Sequence, residues 1–264
     1  MTIPDLERAS DTIRWIHGEA ANRGVVPRRE TLELVERLHD APASPELVAP
    51  SHPLDEDGEY TTVHALNVAL LAMGLARHLA FDRDEILALG LAGLLHDVGR
   101  VRPSEPSPVA VDPASPEARA RVMRHPADGA RLLLDSGAAF ALAAVVAYEH
   151  HLDWHGRSGY PRLHFARPPH QVSRLVSVCD TFDVLLTERS YRARLTDEAA
   201  ARYLPMLSGA PLDPELVTGF LDYVEGPFAR IAPLATGSPA TLTELGWLPE
   251  TGFDPDFEPR PVRL

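Results

Sequence analysis

The chain has 264 residues, 45 % of them hydrophobic and 24 % charged, which supplies a real core for one domain or two small ones. Its formal charge of −13 excludes the basic face that a duplex nucleic acid needs, so no such partner is expected. All 25 positive residues are arginine, and the single cysteine, Cys179, excludes an internal disulfide.

The longest uncharged stretch, 61–76, is interrupted by His64 and Asn67 and falls short of a membrane span. Asp5, Glu7, Arg8 and Asp11 leave no apolar secretory segment at the N-terminus. These features predict a soluble, cytoplasmic chain with no membrane partner.

Nearly every periodic segment repeats with a helical period, and none alternates as a strand. Residues 4–40 read as two amphipathic helices separated by Gly24, followed by a polar, Pro-rich stretch over 41–58. A helix over about 59–80 sets His64, Val68, Leu71 and Leu75 on one side. Asp82 and Glu85 form a capping pair for a helix that is apolar nearly all round to Leu95, with Gly99 as its stop. Five prolines between Pro103 and Pro116 predict a surface loop, and Ser115-Pro116-Glu117 starts a helix that Pro126 breaks. A second helix begins there and ends near Gly137.

Residues 138–151 read as an apolar helix finishing at His150-His151, followed by a glycine-containing loop and a long helix over about 170–188. Thr196 and Asp213-Pro214 start two more helices. From Ala229 the chain is rich in Pro, Gly and Thr, with Trp247, Phe253 and Phe257 as anchors. The prediction is an all-α bundle. It has an N-terminal helical extension over 1–52, a central domain over 53–228 and a tail over 229–264.

Six of the twelve histidines fall between His125 and His170. His96-Asp97 closes a buried helix, where a carboxylate opposes the helix dipole, and a divalent metal would remove that conflict. Taken singly, each candidate has a structural explanation: His64 as a core histidine, His125 as a helix-start residue, Cys179 as a small apolar group. Taken together, His64, His96-Asp97, His125, His150-His151 and Asp180 each sit on or at the end of a separate predicted helix, beside its apolar face. Helices of a bundle can converge such side chains. Five histidines and two aspartates suffice for two near-octahedral ions sharing a carboxylate, whereas one tetrahedral zinc takes four ligands.

These residues resemble the motifs of the HD-GYP family, a bacterial branch of the HD-domain phosphohydrolases, over about residues 59–225. Leu94-Leu95-His96-Asp97-Val98-Gly99-Arg100 resembles the HD motif, and His125-Pro126 with Gly129 resembles the next histidine motif. His150-His151, Gly156 and Gly159-Tyr160-Pro161 resemble the signature that names the family, while Asp180, Asp183, Arg189, Tyr191 and Arg192 match its final motif. The spacing of these histidines along the chain also fits.

The resemblance implies a helical bundle with a metal centre in its core. It implies a phosphodiesterase that opens cyclic di-GMP to linear pGpG, with GMP as an open further product, through a hydroxide bridging two ions. Its ligands would be His64, His96, Asp97, His125, His150, His151 and Asp180, with Asp97 as the bridge and iron or manganese as the metal. Arg100 and Asp183 would join Asp97 in catalysis, Asp183 by supporting a ligand or else by pairing with an arginine. Gly159 and Tyr160 would lie beside the substrate, and Arg189 and Arg192, three apart on one helix face, would grip its phosphates. Diguanylate cyclase (GGDEF) domains are the implied protein partners. Some members hold a third ion on a glutamate four residues before the first histidine. Tyr60 stands there, with Glu59 one residue off, so two ions are expected.

The chain departs from the motifs at Arg100, where lysine is usual, at Leu152, where a glutamate follows the histidine pair, and at His155, where an aspartate precedes glycine. Arg157 and Ser158 also make the signature one residue longer. Two other readings therefore stay open. One is a cyclic dinucleotide receptor or cyclase-binding module of little or no activity, and the other is an HD-type nucleotidase, which would not explain the histidine pair.

Overall fold

In the computed structural model, which describes residues 3–40, 59–101, 120, 122–187 and 195–228, local chemistry sets most helix ends. Gly24 takes a φ of 64° and its N–H reaches back to the Ala20 carbonyl, ending α1 (Ile3–Arg23). The Pro27 carbonyl then accepts from both the N–H and the hydroxyl of Thr31, anchoring the first turn of α2 (Arg28–Asp40).

The long α3 (Glu59–His78) stops just before Ala80, the only non-glycine at positive φ among the described residues. Asp82 caps α4 (Arg83–Leu95) reciprocally: its carboxylate accepts from the Glu85 N–H, and Glu85 accepts from the Asp82 N–H, each at 2.9 Å. This helix ends at Leu95, four residues before the predicted stop. His96 and Asp97 form a turn, and Val98–Arg100 add one turn of 3-10 helix.

Pro126, which has no N–H to leave unpaired, sits in the first turn of α5 (His125–Ser136), and Gly137 at φ 124° closes it. The predicted apolar helix over 138–151 is a 3-10 turn, Ala138–Phe140, followed by α6 (Ala141–Glu149). His170 caps α7 (Gln171–Leu186), Thr196 caps α8 (Asp197–Leu207), and Asp213 accepts from the Glu215 N–H at the start of α9 (Pro214–Phe228). The predicted loop after Pro103, the helix start at Ser115-Pro116-Glu117 and the tail from Ala229 lie outside the described residues.

Among the described residues there is no strand, only two isolated bridges, so the all-α expectation holds. No helix among them is long and apolar enough to cross a membrane. The antiparallel pair α3 and α4 forms the centre, with α7 and α9 against α3, α6 and α7 against α4, and α5 against α6. α1 packs on α3 and α2 on α4, so Ile13, Ile16 and Leu34 join the same core as Leu66, Leu95 and Phe182. Cys179 is a wholly buried part of that core.

Two glycines let the central pair close tightly. A Cβ at Gly93 would stand 3.0 Å from the Ala69 Cα, and one at Gly90 would strike the Met73 side chain. This approach leaves the His64 and His96 rings 5.1 Å apart, centroid to centroid.

Candidate metal centre

One carboxylate organises the site. Asp97, buried in the turn after α4, presents Oδ1 to His125 Nε2 at 3.1 Å and to His150 Nε2 at 3.5 Å. Its other oxygen, Oδ2, faces His96 Nε2 at 3.6 Å and His64 Nε2 at 3.7 Å. Asp180, from α7, approaches from the far side, with Oδ1 3.2 Å from His64 Nε2 and 3.9 Å from His96 Nε2. His151 joins His125, His150 and Asp97 within 4.8 Å. All seven residues expected as ligands therefore meet, although they come from α3, α5, α7, the turn after α4 and the end of α6.

The outward ring nitrogens fix the tautomers. Nδ1 donates to the Gly93 carbonyl from His96 at 2.8 Å, to the Val122 carbonyl from His125 at 2.6 Å, and to the Ala147 carbonyl from His150 at 3.0 Å. His64 Nδ1 donates to Asp183 Oδ2 at 2.7 Å. A carbonyl can only accept, so the Nδ1 atoms of His96, His125 and His150 hold the proton and each of their Nε2 atoms turns a lone pair inward.

The result is a buried set of acceptors with too few donors. His125 Nε2 and His150 Nε2 stand 3.3 Å apart, and His96 Nε2 and His151 Nε2 are buried without hydrogen-bond partners. Such an arrangement calls for cations between the donors. Ligands on one ion, with bonds of about 2.0–2.2 Å, stand roughly 3–4 Å from one another, which suits the spacings above. The donor set fits divalent metal.

The electrostatics agree with that demand. Burial pushes His96 down to about 4, against the pull of Asp97 and Asp180. Burial, then Arg100, lowers His125; burial beside His150 and His125 lowers His151 much further. Burial also opposes a charge on His64, but Tyr60, Asp180 and Asp183 outweigh it and raise its pKa well above the ordinary value. Burial works against ionised Asp97 and Asp180 as well. Even so, Arg100, His96 and His125 hold Asp97 well below the usual carboxylate range, and His64 with His96 holds Asp180 at about 2.

Arg100 donates from Nε to Asp97 Oδ2 at 2.8 Å and leaves its side chain a third exposed at the rim. Burial resists its charge, and Asp97 raises its pKa above the ordinary guanidinium value in spite of that. Tyr60, four residues before His64, lays its ring nearly parallel to the His64 ring with centroids 5.4 Å apart.

The loop after α6 closes the other side. Asp153 accepts from the N–H groups of His155, Arg157 and Ser158 and from the Ser158 hydroxyl, which folds the longer signature segment into a tight turn. Gly156 and Gly159 take φ of 66° and 90°, and a Cβ on Gly159 would lie 2.1 Å from the His151 carbonyl oxygen. Gly159 thereby pairs with Leu152, and the buried Tyr160 ring stacks on His151 with centroids 4.5 Å apart. Tyr160, the residue expected beside the substrate, has its ring enclosed against His151, because the Gly159 turn carries it inward. A small cavity of about 30 Å³, lined by His150, His151, Gly159, Asp180 and Thr181 among others, opens beside the cluster.

Asp183 does not join the converging atoms. It lies one turn beyond Asp180 and takes hydrogen bonds from His64 and Asn67. Leu152 is buried, and the His155 ring lies tilted against Trp154 with centroids 3.9 Å apart. Arg189 and Arg192 lie outside the described residues.

Three supporting residues escaped sequence reading: Asn67, Asp153 and Glu149. Glu149 is buried just before His150 and pairs with Arg167 at 2.7 Å, while accepting from the His170 N–H and the Ser173 hydroxyl. It ties the histidine pair to the start of α7. A charged residue inside an otherwise apolar helix was the available signal.

Comparison with known proteins follows the same lines. Residues 61–185 match the HD domain family. A cyclic di-GMP phosphodiesterase of Pseudomonas aeruginosa is 34 % identical over 65 % of this chain and 41 % of its own length. A 3'3'-cGAMP-specific phosphodiesterase of Vibrio cholerae is 30 % identical over 61 % of this chain and 35 % of its own length. The chain thus spans less than half of either relative. Bd1817, an HDG"Y"P protein from Bdellovibrio bacteriovorus, shares the fold with a TM-score of 0.55 at 18 % identity, over 84 % of this chain and 71 % of that one. Residues 61–185 are thus similar to the HD domain family, and the names of the relatives and of the structural neighbour agree with the HD-GYP resemblance of the motifs.

Proposed function

We propose that this chain is a metal-dependent phosphodiesterase that hydrolyses cyclic di-GMP to linear pGpG, with GMP as a further product. One observation supports it above the rest: four imidazoles lock Nδ1 outward and aim Nε2 at the two oxygens of one buried carboxylate. In this reading His64, His96, Asp97, His125, His150, His151 and Asp180 would hold two divalent ions, iron or manganese, which would supply Lewis acidity toward a phosphate and toward a water.

The chain's own residues do the rest. Asp97 divides its oxygens between two histidine groups and so can serve two ions at once. Arg100, anchored on Asp97 and reaching the rim, neutralises phosphate charge through its guanidinium. Asp183 orients His64, and Tyr160 orients His151 from the Gly159 turn. Arg189 and Arg192 are assigned to the phosphates in the same reading. It also puts the chain in the cytoplasm, with diguanylate cyclase (GGDEF) domains as protein partners.

The test is elemental analysis of protein purified anaerobically from iron-replete cells, followed by turnover assays with cyclic di-GMP and, in parallel, 3'3'-cGAMP. Close to two ions per chain and release of pGpG are expected. One ion or none overturns the dinuclear centre. Two ions with no turnover of either dinucleotide favours the receptor reading, and preference for the hybrid dinucleotide corrects the substrate.

A further inference from the structure

Asn67 is wholly buried on α3, three residues after His64 and so on the same face. Its Nδ2 donates to Asp183 Oδ1 at 2.7 Å, while its own Oδ1 has no hydrogen-bond partner. Turning the amide over would set two oxygens against each other, so the carboxylate fixes which way it points. A buried carbonyl oxygen without a donor is destabilising, and a leucine of similar size would fill the space without it. The residue therefore carries a cost to stability that its single hydrogen bond has to offset through something other than packing.

We infer that Asn67 is a positioning residue for one metal ion. Asp183 is held at both oxygens, by Asn67 on Oδ1 and by His64 Nδ1 on Oδ2. Thr187 donates from its hydroxyl to the Asp183 carbonyl, which steadies the same turn of α7. With Oδ1 tied down by Asn67, Asp183 cannot rotate away from His64. The imidazole then keeps its Nδ1 proton toward Asp183, and its Nε2 stays aimed between Asp97 and Asp180. His64 faces Asp97 Oδ2, whereas His125 and His150 face Oδ1. Asn67 acts on the Oδ2 side alone. The inference rests on the metal-centre reading above and extends it to a residue that touches no ligand atom.

Asn67→Leu and Asn67→Ser, stripped of metal, are compared with the stripped parent for thermal stability, for Mn²⁺ binding by calorimetry and for the visible spectrum of the Co²⁺ form. In Asn67→Leu, stability without metal is expected to fall, because the buried Asp183 Oδ1 loses its donor, so the inference is read from the metal affinities and the spectrum. Affinity for one of the two ions is expected to fall about 10–100-fold, as for other residues that orient a ligand from behind. The second ion should bind as in the parent, and the Co²⁺ spectrum should change at one site. Asn67→Ser, whose shorter side chain cannot reach Asp183 Oδ1, should show the same one-sided loss if the leucine variant fails to fold. Parent-like affinity at both ions in either folded variant overturns the inference while leaving the metal centre intact. Failure of the parent itself to bind two ions overturns the metal-centre reading instead.

Discussion

Gly99 and Gly129 meet backbone to backbone: a Cβ on Gly99 would lie 2.5 Å from the Gly129 nitrogen and 2.1 Å from the His125 carbonyl oxygen. This contact presses the start of α5 onto the 3-10 turn after α4. It is the reason His125 Nε2 comes within 3.1 Å of Asp97 although 28 residues separate them. Gly99 was expected only as the stop of a helix. Its φ is ordinary, and what the site needs from it is the missing side chain.

Gly99→Ala should therefore lower unfolding free energy by about 1–3 kcal/mol, the usual range for overpacking a tight contact. It should also reduce metal content, because His125 is pushed off Asp97. A Cβ at Gly129 meets the Gly99 nitrogen at 3.0 Å, so Gly129→Ala should do less of both. Urea denaturation and elemental analysis of the two variants check the order; equal effects would show that the contact is not what seats His125.

Asp97→Asn keeps the shape and removes the charge. A carboxamide has one oxygen to offer, so it can face one histidine group but not both. Turnover of cyclic di-GMP should be lost, and metal content should fall below that of the parent. A chelator, which should lower the melting temperature of the loaded parent by removing an ion bound only to the folded state, should shift the variant much less. Parent-like metal content in the variant would assign Asp97 to the core.

The elements were legible where the signal is local. Asp82 with Glu85, Pro126, Gly137, Thr196 and Asp213 act on backbone groups within a turn or two of themselves, so a short window of sequence contains the whole interaction. The ligand set was legible for a different reason: histidines and aspartates beside apolar helix faces have few ways to be satisfied in a core. What stayed hidden is the layer behind the ligands. Asn67 meets Asp183 across 116 residues, Glu149 meets Ser173 across 24, and no pattern within either helix announces the partner. The contact of Tyr160 stayed hidden for the same reason, since only the packed Gly159 turn shows that its ring faces His151.

His17 on α1 supplies a pH test outside the ligand set. Burial lowers its pKa from 6.5 to about 4, partly offset by Asp97. A histidine depressed in the folded state favours the unfolded chain as protons become available. Its contribution is intact above about pH 6.5 and is lost as pH falls toward 4, amounting to about 3 kcal/mol at the acid end. His17→Leu should flatten part of the decline in stability between pH 7 and pH 4.5. Parallel urea titrations at several pH values measure it, and identical acid limbs for parent and variant would show that His17 titrates alike in the folded and unfolded chains.

Arg100 separates anchoring from reach. Its Nε, near the middle of the side chain, takes the contact to Asp97 Oδ2, while the guanidinium carries further donors beyond that point. A lysine has one compact terminal ammonium, so it can pair with Asp97 or extend toward a phosphate, but not both. Charge alone would make Arg100→Lys nearly silent; the geometry says otherwise. Arg100→Lys should keep metal content and kcat close to the parent while KM for cyclic di-GMP rises about 10–100-fold, the equivalent of one charge-assisted hydrogen bond of about 1.5–3 kcal/mol. Arg100→Ala, which also removes the counter-charge on Asp97, should lower kcat as well. A faster Arg100→Lys enzyme would mean that the position has to give up a proton, which a guanidinium cannot do at working pH. Steady-state kinetics on the two variants, with metal content measured on the same samples, distinguishes these outcomes, and unchanged kinetics in Arg100→Ala would remove the residue from the site.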